Sequence, residues 1–348
     1  MKANLKEEIV QYALQVMSVD DAWMHREART VDWWGQRLRQ RLDFGCDSLP
    51  DRPTISAIRV TTDCLREVPE SKALYAYLAA FNSKAVTSAL VYDPKTARLF
   101  FSSGVLVLED VPQGAARTLS HVAALQAAES HMLADGFEAK GFPPELMQVG
   151  RKCRSDATPH PRNGLREDYD EILRVRGVYL VHGMGESAFT PEAFNGLEGI
   201  ANKTSVKSTF DALGLTAEFG YGAADRPQPA TPGVIRPRSA RTTLLRLWNN
   251  HRHPAFGAGC LVGFDVPDPL HEPAAANALN LWESRAAHPT GQLGAWCITE
   301  RGSIGFRGFL PNLMCGAEAL VSVYLETVYR SRSVRELIEV LSAASGPR

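Results

Sequence analysis

The sequence predicts an α+β fold made of two similar α/β domains with antiparallel sheets packed by helices, arranged as a pseudo-dimer. The chain has 348 residues, more than twice a typical domain of about 100–150 residues. The order helix, strand, tight turn, strand, long helix occurs twice, over residues 70–135 and 270–330. This repeat indicates an internal duplication with a pseudo-two-fold axis. Two chance copies of a common α-β-β-α arrangement would give the same pattern.

The composition is typical of an ordinary globular protein, with 45% hydrophobic and 22% charged residues. Thirty-eight basic residues face 39 acidic ones, for a formal charge of −1. No overall field therefore attracts phosphate or anionic lipid, and neither nucleic acid nor membrane is an expected partner. The six cysteines form no CxxC pair, and several lie inside apolar, strand-like runs, which indicates buried reduced thiols.

The first 30 residues are predicted to form an N-terminal helical segment, because apolar residues recur at spacings of three and four over residues 3–17. Lys6, Glu7 and Glu8 interrupt the apolar core that a signal peptide needs. No apolar run reaches the roughly 20 residues of a membrane-spanning helix. The expected location is the cytoplasm.

The first domain is predicted over residues 31–137. Trp34, Leu38 and Leu42 share one face of a predicted helix at 31–42. The arginines between them then lie on a solvated face and are expected to be ordinary surface; they are Arg37, Arg39 and Arg41.

A β-rich run at 54–68 and a helix at 70–84 follow in the first domain. The strands VTSALVY and ARLFFSSGVLVLE then form a hairpin around the turn Asp93-Pro94-Lys95-Thr96. A long helix over 114–135, ending at Gly136, closes the domain.

Residues 138–200 are predicted to be a linker and middle segment, because the sequence there is polar and rich in proline and glycine. The apolar run GVYLVHG at 177–183 is interpreted as a short strand. It leads into a helix that begins near Pro191 and is capped by Thr190.

The second domain is predicted over residues 201–348. It begins with a helix carrying Val206, Phe210 and Leu213, and RTTLLRLW and GCLVGFDV are predicted as paired strands beside an exposed Pro-rich loop, DRPQPATPGVIRPR. A helix at 270–287 and a hairpin of QLGAWCIT and SIGFRGFL follow. A terminal helix begins near Cys315 and continues through an apolar pattern at 334–341.

The string LVYDPKTARLFFSSGVLVLEDV followed by GAARTLSHVAALQAAESHML resembles the small α/β fold of type III secretion chaperones and the similar YbjN-like proteins. LGAWCITERGSIGFRGFLPN and the 315–330 helix resemble it less closely. The likeness covers 31–135 and 203–330, but the β-rich stretch at 54–68 has room for one long strand or two very short ones where those chaperones usually have three. The resemblance implies binding of an extended peptide or unfolded segment at sheet edges and shallow apolar grooves.

Aromatic residues inside the apolar runs are most simply packing residues, but one exposed in a groove would be a good anchor for a peptide. The candidate peptide-binding residues are Trp34, Phe101, Trp248, Trp296 and Phe306. Four arginines near the second strand pair could contact phosphate or an acidic peptide, but an exposed loop with ordinary solvation is the expected explanation; they are Arg236, Arg238, Arg241 and Arg246.

The string His182-Gly183-Met184-Gly185 resembles the oxyanion-hole turn of α/β-hydrolases. No GxSxG nucleophile motif accompanies it, since the first glycine of RGSIG stands one place too late. His251 and His253 alternate as ligands on a strand might, but no spacing supplies a third ligand, and a hairpin tip or loop is expected. No catalytic residue, metal or cofactor is predicted.

The sequence therefore predicts a peptide- or protein-binding, chaperone-like module without catalysis, with an unidentified polypeptide client. One alternative is a hydrolase using the 182–185 turn, which requires a perturbed histidine or carboxylate in a polar pocket there. Another is a regulatory scaffold that binds one folded partner through the middle segment. The chaperone hypothesis predicts an apolar groove or open sheet edge in both halves, whereas the scaffold hypothesis predicts one unduplicated patch.

Overall fold

The computed structural model describes residues 3–17, 19, 21, 24–33, 38–45, 55–109, 111–138, 165–184, 246–266, 271–285, 291–323, 325–326 and 330. The first half contains α1 (Ala3–Val16), β1 (Met24–Arg26), β2 (Thr30–Trp33), β3 (Gln40–Asp43), β4 (Ile55–Leu65), α2 (Lys72–Asn82), β5 (Ala89–Asp93), β6 (Arg98–Leu108) and α3 (Pro112–Glu138). Next come α4 (Leu165–His182), β7 (Arg246–His253), β8 (Gly257–Asp265), α5 (Pro273–Arg285), β9 (Ala295–Ile298), β10 (Ile304–Pro311) and a 3-10 helix (Asn312–Met314). The closing helix, with helical residues at 317–323, 325, 326 and 330, follows.

The predicted α+β fold is confirmed. The strands form two antiparallel sheets, one in the order β1-β2-β3-β4-β6-β5 and the other in the order β7-β8-β10-β9. The second sheet has the same order as the last four strands of the first, β3-β4-β6-β5. Each half also has a helix at the corresponding place in the chain. α2 lies between β4 and β5, and α5 lies between β8 and β9.

The helix predicted over 31–42 is wrong, because two strands occupy this stretch. Val31 of β2 stands opposite Leu42 of β3, and both side chains are buried. Thr, Val and Trp favour extended backbone, and alternation buries one side of each strand. As a result Arg41 on β3 and Arg39 just before it both lie beside the Asp32 carboxylate instead of around a helix.

The strand predicted at 177–183 is also wrong, since these residues belong to the last turns of α4 and the residue after it. A seven-residue apolar run does not distinguish a strand from a helical segment. The predicted end of the long helix at Gly136 is wrong as well, because α3 continues to Glu138. A glycine ends a helix by adopting positive φ, and Gly136, which lies within α3, does not do so.

Several predicted elements are confirmed, namely α1, β4, α2, the β5–β6 hairpin, the β7–β8 pair, α5, the β9–β10 hairpin and the start of the closing helix. The Ser71 hydroxyl caps α2 by accepting a hydrogen bond from the Leu74 N–H at 3.1 Å. The predictions of a helix near Pro191, a helix through Val206 and Phe210, the Pro-rich loop and the 334–341 pattern lie outside the described residues.

The largest hydrophobic cluster joins both halves. It includes Val105 and Leu119 from the first half and Val262, Phe309 and Val321 from the second. α3 packs against β4 and β6, while α5 contacts α2 and β5 across the junction between the halves. The two halves therefore share a core.

A buried chain of hydrogen bonds ties the first sheet to α3. The Gln126 amide donates to Ser103 at 2.9 Å and accepts from the Thr62 hydroxyl at 2.7 Å. The Gln40 amide donates to Thr62, and the Trp33 indole donates to Gln40. Because these polar groups are satisfied in the interior, they fix the positions of β2, β3, β4 and β6 relative to α3.

Candidate functional site

One side of α4 is anchored to both halves of the protein. The Tyr179 ring is buried, and its hydroxyl hydrogen-bonds to His121 Nδ1 of α3 at 2.9 Å. It also stands edge-on to Phe256, with 5.9 Å between ring centroids. Burial lowers the pKa of His121 to about 4, with a smaller contribution from Arg117. The imidazole is therefore neutral near pH 7.

The end of α4 approaches the backbone of β8 closely. The Ala258 N–H donates to the Gly183 carbonyl at 3.0 Å, and the Asn312 amide donates to the His182 carbonyl at 3.1 Å. A Cβ at position 183 would lie 2.6 Å from the Ala258 nitrogen. Glycine is required here because no side chain fits between the two backbones.

The opposite side of α4 is exposed and apolar. Val181 and Met184 are 66% and 77% exposed, and Val178 is also exposed. We call Val178, Val181 and Met184 the α4 stripe. Together with Leu180 they make up four of the seven large hydrophobic side chains that are exposed in the described part of the chain. Such a cluster is typical of a surface that another molecule covers.

The stripe has a flat margin without acidic residues. Gly177 precedes Val178, and a Cβ there would meet nothing within 4 Å. Between Arg174 and Met184 the sequence contains no acidic residue. The Arg176 guanidinium is turned toward the β7–β8 turn, where it donates to the Ala255 carbonyl at 3.4 Å. The surface can therefore receive an apolar element without burying a carboxylate.

The residues that the structure describes do not form a hydrolase site around His182. This residue ends a helix rather than a strand. The N–H groups of Gly183 and Met184, which an oxyanion hole would need to be free, donate to the carbonyls of Tyr179 and Val181 at 2.8 and 3.3 Å. Ser303, from the RGSIG string, lies beyond the β9 end, and its hydroxyl hydrogen-bonds to Thr299 at 3.1 Å. A hydroxyl nucleophile needs an adjacent base, and no histidine is hydrogen-bonded to this serine in the described region.

His251 and His253 lie on β7, so the expectation of a loop or hairpin tip is wrong. The His253 ring stacks on Phe256 and Phe309, and its Nε2–H donates to the Lys84 carbonyl at 3.2 Å. Burial lowers the pKa of His253 to about 4. Among the described residues, no group of three or more His, Cys, Asp or Glu is placed to hold a metal ion.

Three of the five candidate peptide anchors are core residues. Phe101 and Trp296 are fully buried and Phe306 nearly so. The Trp296 indole donates to the Glu283 carboxylate at 2.9 Å, and the Arg330 guanidinium lies 3.7 Å from the Phe306 ring centroid. In this structure these aromatic rings stabilise the interior and offer no surface to a peptide. Trp248 lies on β7, and Trp34 lies outside the described residues.

Two carboxyl groups have strongly raised pKa values, but both are interior. Burial raises the pKa of Glu129 and of Glu326 to about 8. Both residues are buried, and neither is on the exposed side of α4. They do not supply the solvent-accessible acid or base near His182 that the hydrolase hypothesis requires.

The α4 stripe was missed because the strand interpretation placed Val178 and Val181 on opposite sides of a strand. On a helix, residues three apart share a face, so Val178 and Val181 lie on the same side of α4, and Met184 continues that side just after the helix ends. Tyr179 lies on the opposite side. This spacing was the available signal. No described helix is long and apolar enough to cross a membrane.

Comparisons with protein-family models, with curated proteins and with solved structures found no match for this chain. The function is therefore argued from the surface itself.

Proposed function

We propose that the protein binds one partner polypeptide through the α4 stripe, and that it acts by binding rather than by catalysis. The observation that carries the proposal is the concentration of exposed apolar side chains at the end of α4. Covering Val178, Val181 and Met184 removes apolar surface from water, which favours association by roughly 25 cal/mol per Å² before the costs of association are counted.

The shape of the stripe favours an apolar helix of the partner. Val178 and Val181 are three residues apart on α4, and Met184 follows at the same spacing just after the helix ends. Ridges with this spacing fit the grooves of a second helix. The absent side chain at Gly177 permits a close approach of that helix. Met184 adapts to different contacts because its side chain is unbranched and flexible.

The position of the stripe favours the scaffold hypothesis over a chaperone that uses both halves alike. α4 lies in the middle segment, which is the part of the chain that the scaffold hypothesis assigns to the partner. One feature supports the chaperone-like hypothesis. The sequence predicts only one or two strands before α2, where those chaperones usually have three, but the structure has four, β1 to β4.

The test uses the full-length chain in its own host with a photo-crosslinking residue at position 181 and, as a control, at Tyr12, which is an exposed aromatic residue of α1. We expect one polypeptide to crosslink from position 181 and not from position 12. The purified polypeptide should then bind at least 10-fold more weakly to Val181→Asp/Met184→Asp, while Tyr12→Asp leaves its affinity unchanged.

Equal binding by the wild-type protein and the double variant would overturn the proposal. So would a crosslink from position 181 to a second copy of this chain, accompanied by a dimer in solution that the double variant abolishes. Circular dichroism and thermal unfolding of each variant establish that any loss of binding occurs in a folded protein.

A further inference from the structure

The two sheets match in register as well as in strand order. In the first sheet Leu90 of β5 stands opposite Phe101 of β6, and in the second Trp296 of β9 stands opposite Phe306 of β10. The turns of the two hairpins also correspond, because Ala97 and Gly302 both have positive φ and both lie close before the second strand. These pairs align the halves residue by residue.

Reciprocal hydrogen bonds between the halves support this alignment. Three residues beyond Phe101 lies Gly104, which exchanges backbone hydrogen bonds of 3.0 and 2.7 Å with Gln292. Three residues beyond Phe306 lies Phe309, whose N–H donates to the Val86 carbonyl at 2.8 Å. Val86 lies four residues before Leu90 of β5, and Gln292 lies four residues before Trp296 of β9, so the two contacts occupy the same position in the alignment. The same contact thus occurs in both directions, as across a two-fold axis.

When the same alignment is extended to the neighbouring strands of each sheet, β3 corresponds to β7. Thr62 pairs with Phe101, and Phe264 pairs with Phe306, which aligns β4 with β8. The neighbouring strands then place Arg41-Leu42 of β3 at the register positions of Arg246-Leu247 of β7. The same dipeptide occupies the same two positions of both sheets.

On β3 these positions are covered by β2. Asp32 stands opposite Arg41, and Val31 stands opposite Leu42. The Arg41 guanidinium donates to both oxygens of Asp32, at 2.7 Å each. The first sheet therefore shows what this pair of residues accepts at its outer side, which is an antiparallel strand with a carboxylate beside an apolar residue.

The outer side of β7 has no paired strand within the described residues. The sequence shortly before β7 is poorly suited to provide one, because it carries Pro227, Pro229, Pro232 and Pro237. Proline has no N–H to donate to a strand ladder. An irregularity between Trp248 and His251 divides the pairing of β7 with β8 into two short ladders, at 246–248 and 251–253. A regular strand added at the beginning of β7 would therefore be short, as β2 is.

The two inner edges of the sheets are sealed, in contrast to β7. The Asn82 side chain bonds to both the N–H and the C=O of Leu90 on β5, and Asn277 bonds to both groups of Tyr92. Asn280 does the same for Trp296 on β9. These asparagines prevent strand addition at the centre of the molecule.

We propose that the outer edge of β7 receives an extended segment of the partner polypeptide as an antiparallel strand, with a carboxylate opposite Arg246 and an apolar residue opposite Leu247. The inference rests on the proposed function, since it concerns how a partner polypeptide is held. Main-chain hydrogen bonds provide the affinity of such an added strand, and opposed side chains provide its selectivity.

The probe is a synthetic peptide, EARTVDWWG, which is the β2 segment of this chain, residues 27–35. Its binding to full-length protein is followed by the NMR shifts of the backbone amides of β7. We expect saturable binding that shifts residues 246–248. Arg246→Glu should weaken binding of this peptide at least 10-fold, and a peptide with lysine in place of the aspartate should bind Arg246→Glu better than the wild-type protein.

Arg252→Glu is the matched control, because it removes the same charge beyond the irregularity in β7. Equal weakening by Arg246→Glu and Arg252→Glu, absence of the charge-swap rescue, or no binding by the wild-type protein would overturn the inference. Val181→Asp/Met184→Asp should still bind the peptide. If this α4 variant loses the partner while the β7 variants retain it, the inference fails and the proposed function stands.

Discussion

Glu129 and Glu326 make the same kind of contact in the two halves. Glu129 accepts a hydrogen bond from the backbone of Val86, before β5, and Glu326 accepts one from the Leu293 N–H at 3.1 Å, before β9. Each of these backbone segments also hydrogen-bonds to the opposite half. Val86 accepts from the Phe309 N–H, and Gln292, next to Leu293, bonds to Gly104. Each carboxyl is buried and retains one oxygen without a hydrogen-bond partner. Two interior carboxyl groups thus hold the two backbone segments through which the halves contact each other.

The burial of Glu129 predicts that stability falls as pH rises. Its pKa in the folded protein is about 8, above the value of roughly 4.3 expected in the unfolded chain. The folded state therefore holds the proton more tightly, and the stabilisation is complete below about pH 4 and is lost as pH rises through 8. Glu129→Gln, which stays neutral, should remove the part of this loss that is due to Glu129, a difference on the order of a few kcal/mol between pH 5 and 9. The part due to Glu326, whose pKa is also raised to about 8, should remain.

Urea unfolding of wild-type protein, Glu129→Gln and Glu8→Gln at pH 5, 7 and 9 measures the effect. Glu8 is an exposed residue of α1, so its substitution should leave the slope with pH unchanged. A free energy of unfolding whose pH dependence is the same in Glu129→Gln and the wild-type protein would contradict the prediction.

The sequence predicts those parts of the fold in which local pattern and tertiary context agree. The β5–β6 and β9–β10 hairpins combine apolar strands with turn residues such as Asp93 and Gly302, and the structure contains both. Residues 31–42 were misassigned because Trp34, Leu38 and Leu42 also satisfy helical spacing. Only pairing with β4, whose residues come later in the chain, makes the extended form favourable.

The candidate surfaces depend on long-range contacts that sequence alone does not provide. The apolar run of α4 reads equally well as a strand until Tyr179 is seen to contact His121 and Phe256. Arg330, which would be expected at the surface, is buried and pairs with Glu283 at 2.6 Å. Buried charges of this kind are rare unless paired, and the partner lies 47 positions away in the chain.

Two glycines of the α4 region should respond in opposite ways to alanine. Gly183→Ala places a methyl group 2.6 Å from the Ala258 nitrogen, so α4 must shift away from β8. We expect a loss of about 1–3 kcal/mol of stability, the usual range for overpacking. Gly177→Ala meets open space and should stabilise the helix by up to about 1 kcal/mol, because glycine is a poor helix former.

Thermal unfolding of the two variants beside the wild-type protein provides the comparison. Equal melting temperatures for Gly183→Ala and Gly177→Ala would show that the contact between α4 and β8 is not formed as described. Binding of the partner is a second readout, because Gly177→Ala fills the flat margin of the α4 stripe and should weaken the complex while the free protein becomes more stable.

Asn277 joins the halves by sealing the edge of β5, and its loss should be visible at one backbone amide. Its side chain accepts from the Tyr92 N–H and donates to the Tyr92 carbonyl, both at 2.9 Å. Asn277→Ala leaves these buried groups without partners, at a cost of about 1–3 kcal/mol. Hydrogen exchange at Tyr92 should accelerate. Asn280→Ala, which removes the same pair of bonds from Trp296 within the second half, should accelerate Trp296 and leave Tyr92 protected. Unchanged exchange at Tyr92 in Asn277→Ala would show that the edge of β5 is closed by something other than this asparagine.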